Sequence, residues 1–358
     1  MLFDPKPKRC RKDLYDFNEE FNMLSRFLGE PLVVVTGLRR TGKTSLILTV
    51  LEESGKPYIF VDARSVSRSW RDLYTAISTG FSDFMAKASR FSGFRDSLLR
   101  FLKIIKGVSV MGVSIEFSWG RDRPLLTQIF TALNEAAEEH NLKIIIVFDE
   151  AQLFTGVFAR ALQNAIAYSY DHLKNLSFIV SGSEMNVLYK WFRDPEAPLY
   201  GRAFLEVKTR RLSREESMNF LEKGFSELGY RVPMDEIEMV VNKLDGVIGW
   251  LTYYGYLRVF QNRLVDDIWR EAVELARKEL ENFLMYRVSR ERYRKVLRLL
   301  AQGVREWGKL KQMLENAEGK TISDRVLHEI LHTLRNHTII DDENNFLDPI
   351  TREAAKTL

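Results

Sequence analysis

The residues with the clearest chemical potential in this chain are a lysine and a threonine that follow a glycine-rich turn. Gly37, Gly42, Lys43 and Thr44 satisfy the pattern G-x-x-x-x-G-K-[ST] within the stretch LVVVTGLRRTGKTSL. In this pattern the backbone N–H groups of the turn converge on phosphate oxygens at a helix N-terminus, the lysine reaches the terminal phosphates, and the hydroxyl binds Mg²⁺. We therefore predict that a nucleoside triphosphate and Mg²⁺ bind at Gly37, Leu38, Arg39, Arg40, Thr41, Gly42, Lys43, Thr44 and Ser45.

Two adjacent carboxylates end a second apolar run, KIIIVFDE, and are predicted to join the same site. Ligands bind at the C-terminal edge of a parallel sheet, where such a run would deliver both acids. We expect Asp149 to hold Mg²⁺ together with Thr44, and Glu150 to polarise the attacking water as a general base, while Lys43 stabilises the transferred phosphate. Paired acids at a strand end also serve as helix N-caps, which is the alternative interpretation.

Two serines at the end of a further apolar run, LSFIVSGS, could contact the terminal phosphate. Ser181 and Ser183 carry hydroxyl groups that can donate a hydrogen bond to a phosphate oxygen. The same hydroxyl groups commonly cap turns, and the sequence leaves both interpretations open.

A predicted parallel sheet places these candidate residues. Helical periodicities alternate with β-branched runs, which favours an α/β fold. An insertion centred on Gly112 alternates valine, isoleucine and phenylalanine with small residues, so it predicts a β-hairpin between the second and third core strands. The five runs predicted to be buried strands are 32–37, 57–62, 143–149, 176–182 and 203–208.

Beyond Lys208 the helical patterns take over. Ser213 and Glu216 have the spacing of a capping box, which predicts a helix that ends before Gly229. From Ser289 onward, three predicted helices precede a stretch that looks like two short strands around an Asp-Asp-Glu-Asn-Asn turn. Three helices and a terminal hairpin describe a winged helix, and the same pattern fits other small α+β modules.

The strings GLRRTGKTSLI, FDEAQ, SGSEM and PLYGRAFLEV together resemble the archaeal-type P-loop ATPases related to the AAA+ and STAND classes. This resemblance covers nearly the whole chain and implies ATP and Mg²⁺ as ligands, a helical lid and a winged-helix tail. It also implies that Arg202 is an arginine finger, with an ordinary ion pair as the alternative, and that Tyr15 and Phe17 border the adenine. In one departure, this chain has Gly249-Trp250 where related lids often place a proline after glycine.

With this resemblance we expect a P-loop ATPase domain at 1–210, a helical lid domain at 211–285 and a winged-helix domain at 286–358. The expected function is a switch that binds and hydrolyses Mg-ATP and whose lid and tail respond to the nucleotide. The alternatives are a small-molecule phosphotransferase and a nucleotide-binding interaction module without significant turnover. Finger arginines usually act across a subunit contact, so a homo-oligomer also remains open.

Two further motifs are expected to be coincidental. The string His328-Glu329-Ile330-Leu331-His332 matches the zinc-protease pattern H-E-x-x-H, but the extended motif's third histidine is absent and a leucine stripe accounts for the helix. Asn242-Lys243-Leu244-Asp245 matches the guanine-reading N-K-x-D pattern, yet its neighbours fit an amphipathic helix better than a strand. We therefore favour ATP over GTP and surface histidines over a metal site.

Composition sets the remaining limits. The chain has 358 residues, a formal charge of +4 and one cysteine, Cys10, which excludes an internal disulfide and fits a reducing compartment. Neither a signal peptide nor a membrane span is evident, so a cytoplasmic location without membrane contact is expected. Between Arg287 and Arg335, basic residues outnumber acidic ones about two to one, and acidic residues follow. Through this tail the partner is either double-stranded DNA or a protein.

Overall fold

In the computed structural model, which describes residues 1–66, 69–87 and 93–358, the five predicted core strands form one parallel sheet. The strands are β1 (Leu32–Thr36), β2 (Tyr58–Asp62), β3 (Val108–Met111), β4 (Ser114–Phe117), β5 (Ile144–Asp149), β6 (Leu176–Gly182) and β7 (Leu205–Lys208). The sheet order is β2-β5-β6-β1-β7, and the inserted β3 and β4 pair with each other in antiparallel fashion. The predicted α/β fold with an inserted hairpin is therefore confirmed.

The burial of each strand agrees with its place in the sheet. Strands β1, β5 and β6 are buried along their whole length, as their unbroken β-branched runs predict for strands covered on both faces. Strand β1 pairs with β6 on one side and β7 on the other, and β5 lies between β2 and β6. This arrangement brings the C-terminal ends of β1, β2, β5 and β6 to one edge.

Contacts divide the chain into two compact units. We call residues 8–37 and 43–209 the sheet unit, and residues 1–7, 38–42 and 210–358 the helical unit. The helices of the sheet unit are α1 (Asn18–Phe27), α2 (Lys43–Ser54), α3 (Trp70–Lys87), α4 (Phe94–Lys103), α5 (Leu126–Glu139), α6 (Gly156–His172) and α7 (Met185–Arg193). An aromatic-rich core that includes Phe81, Phe130 and Phe178 joins several of these helices to the sheet.

The helical unit contains the predicted lid and tail segments. Its helices are α8 (Arg214–Glu227), α9 (Met234–Leu244), α10 (Ile248–Phe260), α11 (Val265–Met285), α12 (Arg290–Ala301), α13 (Trp307–Glu318), α14 (Asp324–Asn336) and α15 (Pro349–Lys356). The capping box is confirmed, because the Ser213 hydroxyl accepts the Glu216 N–H and the Glu216 carboxylate accepts the Ser213 N–H.

The prediction of two short strands near the C-terminus is wrong. Ile340 and Phe346 form only an isolated antiparallel bridge, and helix α15 follows them. The side chain of Asp341 accepts the N–H groups of Glu343 and Asn345. These backbone groups bond locally within the turn and are not available to extend a strand ladder beyond one bridge. In the described part of the chain, none of the helices is both long and apolar enough to cross a membrane.

Candidate active site

The phosphate loop, residues 37–45, joins the end of β1 to the start of α2. Gly37 and Gly42 have φ angles of 149° and 84°, a region that glycine enters without strain. The Lys43 side chain is buried, and its Nζ donates to the carbonyl oxygen of Gly37 at 3.0 Å. The hydroxyl of Ser45 accepts the Lys8 N–H at 3.1 Å. The loop therefore has the backbone conformation and the lysine placement that the motif predicts.

Thr44, at the end of this loop, and Asp149, at the end of β5, form a pair of oxygen donors in the sheet unit. The hydroxyl of Thr44 donates to Asp149 Oδ2 at 2.8 Å, and the hydroxyl of Ser181 donates to Asp149 Oδ1. The Ser181 oxygen also accepts the Glu150 N–H at 3.2 Å. A hydroxyl and a carboxylate in direct contact are hard oxygen donors of the kind that Mg²⁺ prefers, so Thr44 and Asp149 fit the predicted metal. Ser181 supports the Asp149 carboxylate here, and its contact with phosphate stays a prediction.

The Asp149 carboxyl group is fully buried. Burial raises the pKa of Asp149, while the hydrogen bonds from Ser181 and Thr44 oppose this rise and the neighbouring charge of Glu150 adds to it. The folded protein therefore disfavours the ionised form of this carboxyl group until a cation joins it.

Glu150 takes a conformation that is unusual for its residue type. Its φ is 53°, in the left-handed region, at the start of a short 3-10 turn that covers Ala151–Leu153. Its Oε2 accepts a hydrogen bond from the Ser183 hydroxyl at 2.8 Å and another from Gln152 Nε2 at 2.5 Å. The left-handed backbone and the two donors hold this carboxylate at the same sheet edge as Asp149.

Two residues of this site were missed in the sequence. Arg64 lies just after β2, makes a bidentate ion pair with Asp62, and places its Nη2 at 3.8 Å from Asp149 Oδ2. Gln152 lies in the string FDEAQ but was not singled out. Both residues are polar and follow the C-terminal end of a strand, and this pattern could have marked them as candidates. The sequence does not show, however, that β2 lies next to β5, and only that pairing brings Arg64 close to Asp149.

The residues implied by the resemblance, Arg202, Tyr15 and Phe17, also belong to the sheet unit. Arg202 makes a bidentate ion pair with Asp171 and donates to the carbonyl oxygen of Pro198, which matches the ion-pair alternative. Phe17 is almost fully buried and has a left-handed φ of 54°, whereas Tyr15 is half-buried. The finger role of Arg202 and the adenine contacts of Tyr15 and Phe17 stay predictions.

The apex of the phosphate loop, residues 38–42, packs within the helical unit. The guanidinium of Arg40 lies 3.9 Å from the centre of the Trp250 ring and pairs with the Glu279 carboxylate, and Arg39 lies 3.7 Å from the same carboxylate. The N–H of Gly249 donates to the Arg40 carbonyl at 2.9 Å. A Cβ at residue 249 would lie 2.6 Å from the Cβ of Arg40, so only glycine allows this approach.

Trp250 in turn contacts the last helix of the chain. Its indole N–H lies 3.2 and 3.3 Å from the two carboxylate oxygens of Asp348, and Asp348 also caps α15 by accepting the Ile350 N–H. The Gly249-Trp250 departure therefore has a structural reason, because both residues contact the apex of the phosphate loop.

The two motifs expected to be coincidental lie on helices α14 and α9. His328 and His332 are exposed on α14, with their rings stacked at 6.0 Å between centroids. Within residues 1–66, 69–87 and 93–358, no group of three metal-ligating side chains is present. Asn242, Lys243 and Leu244 form the last turn of α9, as the amphipathic pattern predicts, and Asp245 caps it.

The raised pKa of Asp149 leads to a stability prediction for the nucleotide-free protein. The unfolded chain ionises this carboxyl group at lower pH than the folded chain, so folding carries a penalty that is absent at acid pH and grows as pH rises between the two values. We expect Asp149→Asn to raise the melting temperature of the nucleotide-free protein at pH 7, because the amide carries no charge to bury. Thermal melts from pH 7 downward would show the gain fading, and a lower melting temperature at pH 7 would contradict the argument.

Comparisons with known proteins bear on the family of the whole chain. Residues 14–253 match a family described as an ATPase domain predominantly from Archaea, and residues 287–346 match the C-terminal winged helix-turn-helix domain of MCM proteins. None of the curated proteins matches the sequence.

Two solved structures illustrate the range of similarity. The Walker-type ATPase PABY2304 of Pyrococcus abyssi is 31% identical, with a TM-score of 0.81 over 99% of this chain and 100% of that one. Cdc6p from Pyrobaculum aerophilum is 14% identical, with a TM-score of 0.48 over 95% of this chain and 90% of that one, a likeness too distant to support an argument. The chain belongs to the family of ATPases found predominantly in Archaea, and it carries a winged-helix domain at its C-terminal end.

Proposed function

We propose that this ATPase hydrolyses Mg-ATP and transmits the state of its nucleotide to the winged-helix tail. The observation that supports hydrolysis is the pair of acids at the end of β5. Asp149 is in contact with the Thr44 hydroxyl, and Glu150 is held separately by Ser183 and Gln152. Asp149 is thus available to bind the metal, and Glu150 is available to accept a proton from the attacking water.

Each residue has a distinct part in the proposed reaction. Lys43 and the N–H groups of the phosphate loop bind the β- and γ-phosphates and fix their orientation. Thr44 and Asp149 hold Mg²⁺, which when bound offsets the charge that develops on the phosphate oxygens. Glu150 accepts the proton of the attacking water, a role that requires its carboxylate to be ionised and oriented.

Measuring the products tests this function against its alternatives. Purified protein with ATP and Mg²⁺ is expected to release inorganic phosphate and ADP in equal amounts, and EDTA is expected to stop the release. Label transferred from the γ-phosphate to an added small molecule would support a phosphotransferase. Nucleotide binding without phosphate release would support an interaction module. A specific activity that rises with protein concentration would support Arg202 acting across a subunit contact.

The coupling half of the proposal rests on the contacts of Trp250 in the helical unit. The ring of Trp250 lies under Arg40, at the apex of the phosphate loop, and its N–H reaches the Asp348 cap of α15. Helix α15 also packs against α11 and α12, which belong to the lid and tail segments. A change at the apex on nucleotide binding therefore has a short packed route to the end of the chain.

Trp250→Phe is expected to weaken this coupling without weakening nucleotide binding. Phenylalanine keeps a ring beneath Arg40 but loses the N–H that reaches Asp348. Hydrogen exchange of the amides in α15 should differ between the apo and Mg-ATP states of the wild type, and this difference should shrink in Trp250→Phe. Trp119→Phe is the matched control, because Trp119 also lies near an arginine, Arg71, but in the sheet unit. Equal exchange in both states of the wild type would refute the coupling.

For the tail we propose duplex DNA as the partner. Several acidic side chains of the basic block are bound by cationic neighbours, and the remaining cations still outnumber the remaining acids. These pairs are Arg292–Glu318, Arg294–Glu291, Lys311–Asp324 and Arg325–Glu329. The carboxylate of Asp341 accepts the N–H groups of Glu343 and Asn345 but keeps its charge, so the acidic turn opposes phosphate and the proposal rests on the cations of the basic block.

Salt dependence is the test of the DNA proposal. If several phosphates are contacted, the affinity of the full chain for a short duplex should fall by about a factor of a thousand or more between about 50 and 200 mM salt. Absent or salt-insensitive binding would favour a protein partner instead. The duplex can be added to the ATP turnover assay, where stimulation would connect the tail to hydrolysis.

A further inference from the structure

Gln152 is a buried polar residue whose side chain contacts the proposed base. Its side chain is 3% exposed and lies in the 3-10 turn directly after β5. Its Nε2 donates to Glu150 Oε2 at 2.5 Å and to the Ser183 hydroxyl oxygen at 3.1 Å. Ser183 donates to the same Glu150 oxygen at 2.8 Å. The three side chains thus form a closed triangle of hydrogen bonds around one carboxylate oxygen.

The orientation of the Gln152 amide follows from the chemistry of its partner. An ionised carboxylate only accepts hydrogen bonds, so the NH₂ group must face Glu150 and the carbonyl oxygen must point away. That carbonyl oxygen, Oε1, is buried and has no hydrogen-bond partner among the protein atoms of residues 1–66, 69–87 and 93–358. A Cβ at residue 182 would lie 2.6 Å from it, so the glycine at that position leaves room for the amide.

An unpaired buried oxygen destabilises the folded state, because its hydrogen bonds to water are lost without replacement. A methionine or leucine of similar size would fill the same space without that penalty. Filling this space therefore does not by itself explain why the residue is a glutamine. An apolar side chain of the same size could not donate the hydrogen bond to Glu150. Buried polar groups with unmet hydrogen bonds are uncommon in proteins and warrant a specific explanation.

We propose that Gln152 is a positioning residue for hydrolysis. With Ser183, it fixes the Oε2 of Glu150 and so holds the carboxylate in one orientation for the attacking water. The proposal rests on the function proposed above, in which Glu150 is the base. The role belongs to the Nε2 donor, so it requires the amide and is lost in an apolar side chain of equal size.

The test variant is Gln152→Met, which keeps the volume and removes both amide atoms. We expect its kcat for ATP hydrolysis to fall by about tenfold to a hundredfold, the effect of losing one hydrogen bond to a charged group. Its KM and its affinity for Mg-ATP should stay close to those of the wild type. Its melting temperature combines two opposing effects, the loss of the two hydrogen bonds that Nε2 donates and the removal of the unpaired oxygen, so kcat is the deciding measurement. A merely structural role predicts a changed melting temperature with kcat preserved.

Two further variants keep the proposal testable. Ser183→Ala removes the second donor to the same carboxylate oxygen and should also lower kcat without changing nucleotide affinity. Gln163→Met is the matched control, since Gln163 is a buried glutamine of α6, and its kcat should equal that of the wild type.

A double variant separates this inference from the proposed function. When Glu150 is already glutamine, adding Gln152→Met should not lower the residual single-turnover rate further, because the two residues act as one unit. A full additional loss would overturn the positioning role. If Glu150→Gln abolishes hydrolysis but Gln152→Met retains wild-type kcat, the inference is wrong and the proposed function stands. If Glu150→Gln hydrolyses at the wild-type rate, the proposed function itself is wrong.

Discussion

Glu150→Gln is expected to lower the rate of ATP hydrolysis by about a hundredfold to ten-thousandfold, the range that general-base catalysis contributes. The amide has nearly the same shape as the carboxylate but cannot accept the proton of the attacking water. Lys43, Thr44 and Asp149 are unchanged in this variant, so Mg-ATP should bind with close to wild-type affinity. Phosphate release under saturating ATP and a direct binding titration measure the two quantities separately.

The control for this variant is Glu139→Gln. Glu139 is an exposed residue at the end of α5 that pairs with Arg100, so its substitution should leave both quantities unchanged. Equal losses of rate and of affinity in Glu150→Gln would contradict the role of base and would instead place Glu150 among the groups that bind the nucleotide. Phosphate release at the wild-type rate would remove it from the reaction.

The sequence predicted the sheet well because its three central strands, β6, β1 and β5, are buried on both faces. The run LVVVT forms β1 within one residue of its predicted end, and KIIIVFD forms β5. Unbroken β-branched runs of this kind have few alternatives in a folded chain, since a helix would need polar positions on one side. The phosphate loop was equally accessible, because its glycines and lysine are local in sequence.

The contacts around the acids could not be predicted from one sequence, because they depend on which strands are neighbours. Pairing of β2 with β5 brings Arg64 near Asp149, and pairing of β5 with β6 brings Ser183 to Glu150. Strand order is a tertiary property, and none of these side chains is close to its partner along the chain. The contact of Arg40 with Trp250 is another case, since these residues are joined only by packing in the helical unit.

One local signal was available near the C-terminus but was not used. Asp348 followed by Pro349 is a strong helix start, because aspartate caps the first turn and proline fits the first helical position. The structure has helix α15 there, with the Asp348 side chain accepting the Ile350 N–H. The acidic run before it fits a turn between two strands, and for that reason the pattern predicts strands and not this helix.

Lys43→Ala is expected to weaken Mg-ATP binding by about a hundredfold, since truncating one partner of a desolvated charge pair costs several kcal/mol. The lysine is 4% exposed and its Nζ donates to the Gly37 carbonyl, which holds it inside the phosphate loop before any ligand arrives. Mg-ATP should raise the melting temperature of the wild type by mass action, and this rise should largely vanish in the variant.

Lys56→Ala is the control, because Lys56 donates to the Leu28 carbonyl at the same distance of 3.0 Å outside the phosphate loop. Wild-type affinity in Lys43→Ala would show that the triphosphate binds somewhere other than this loop.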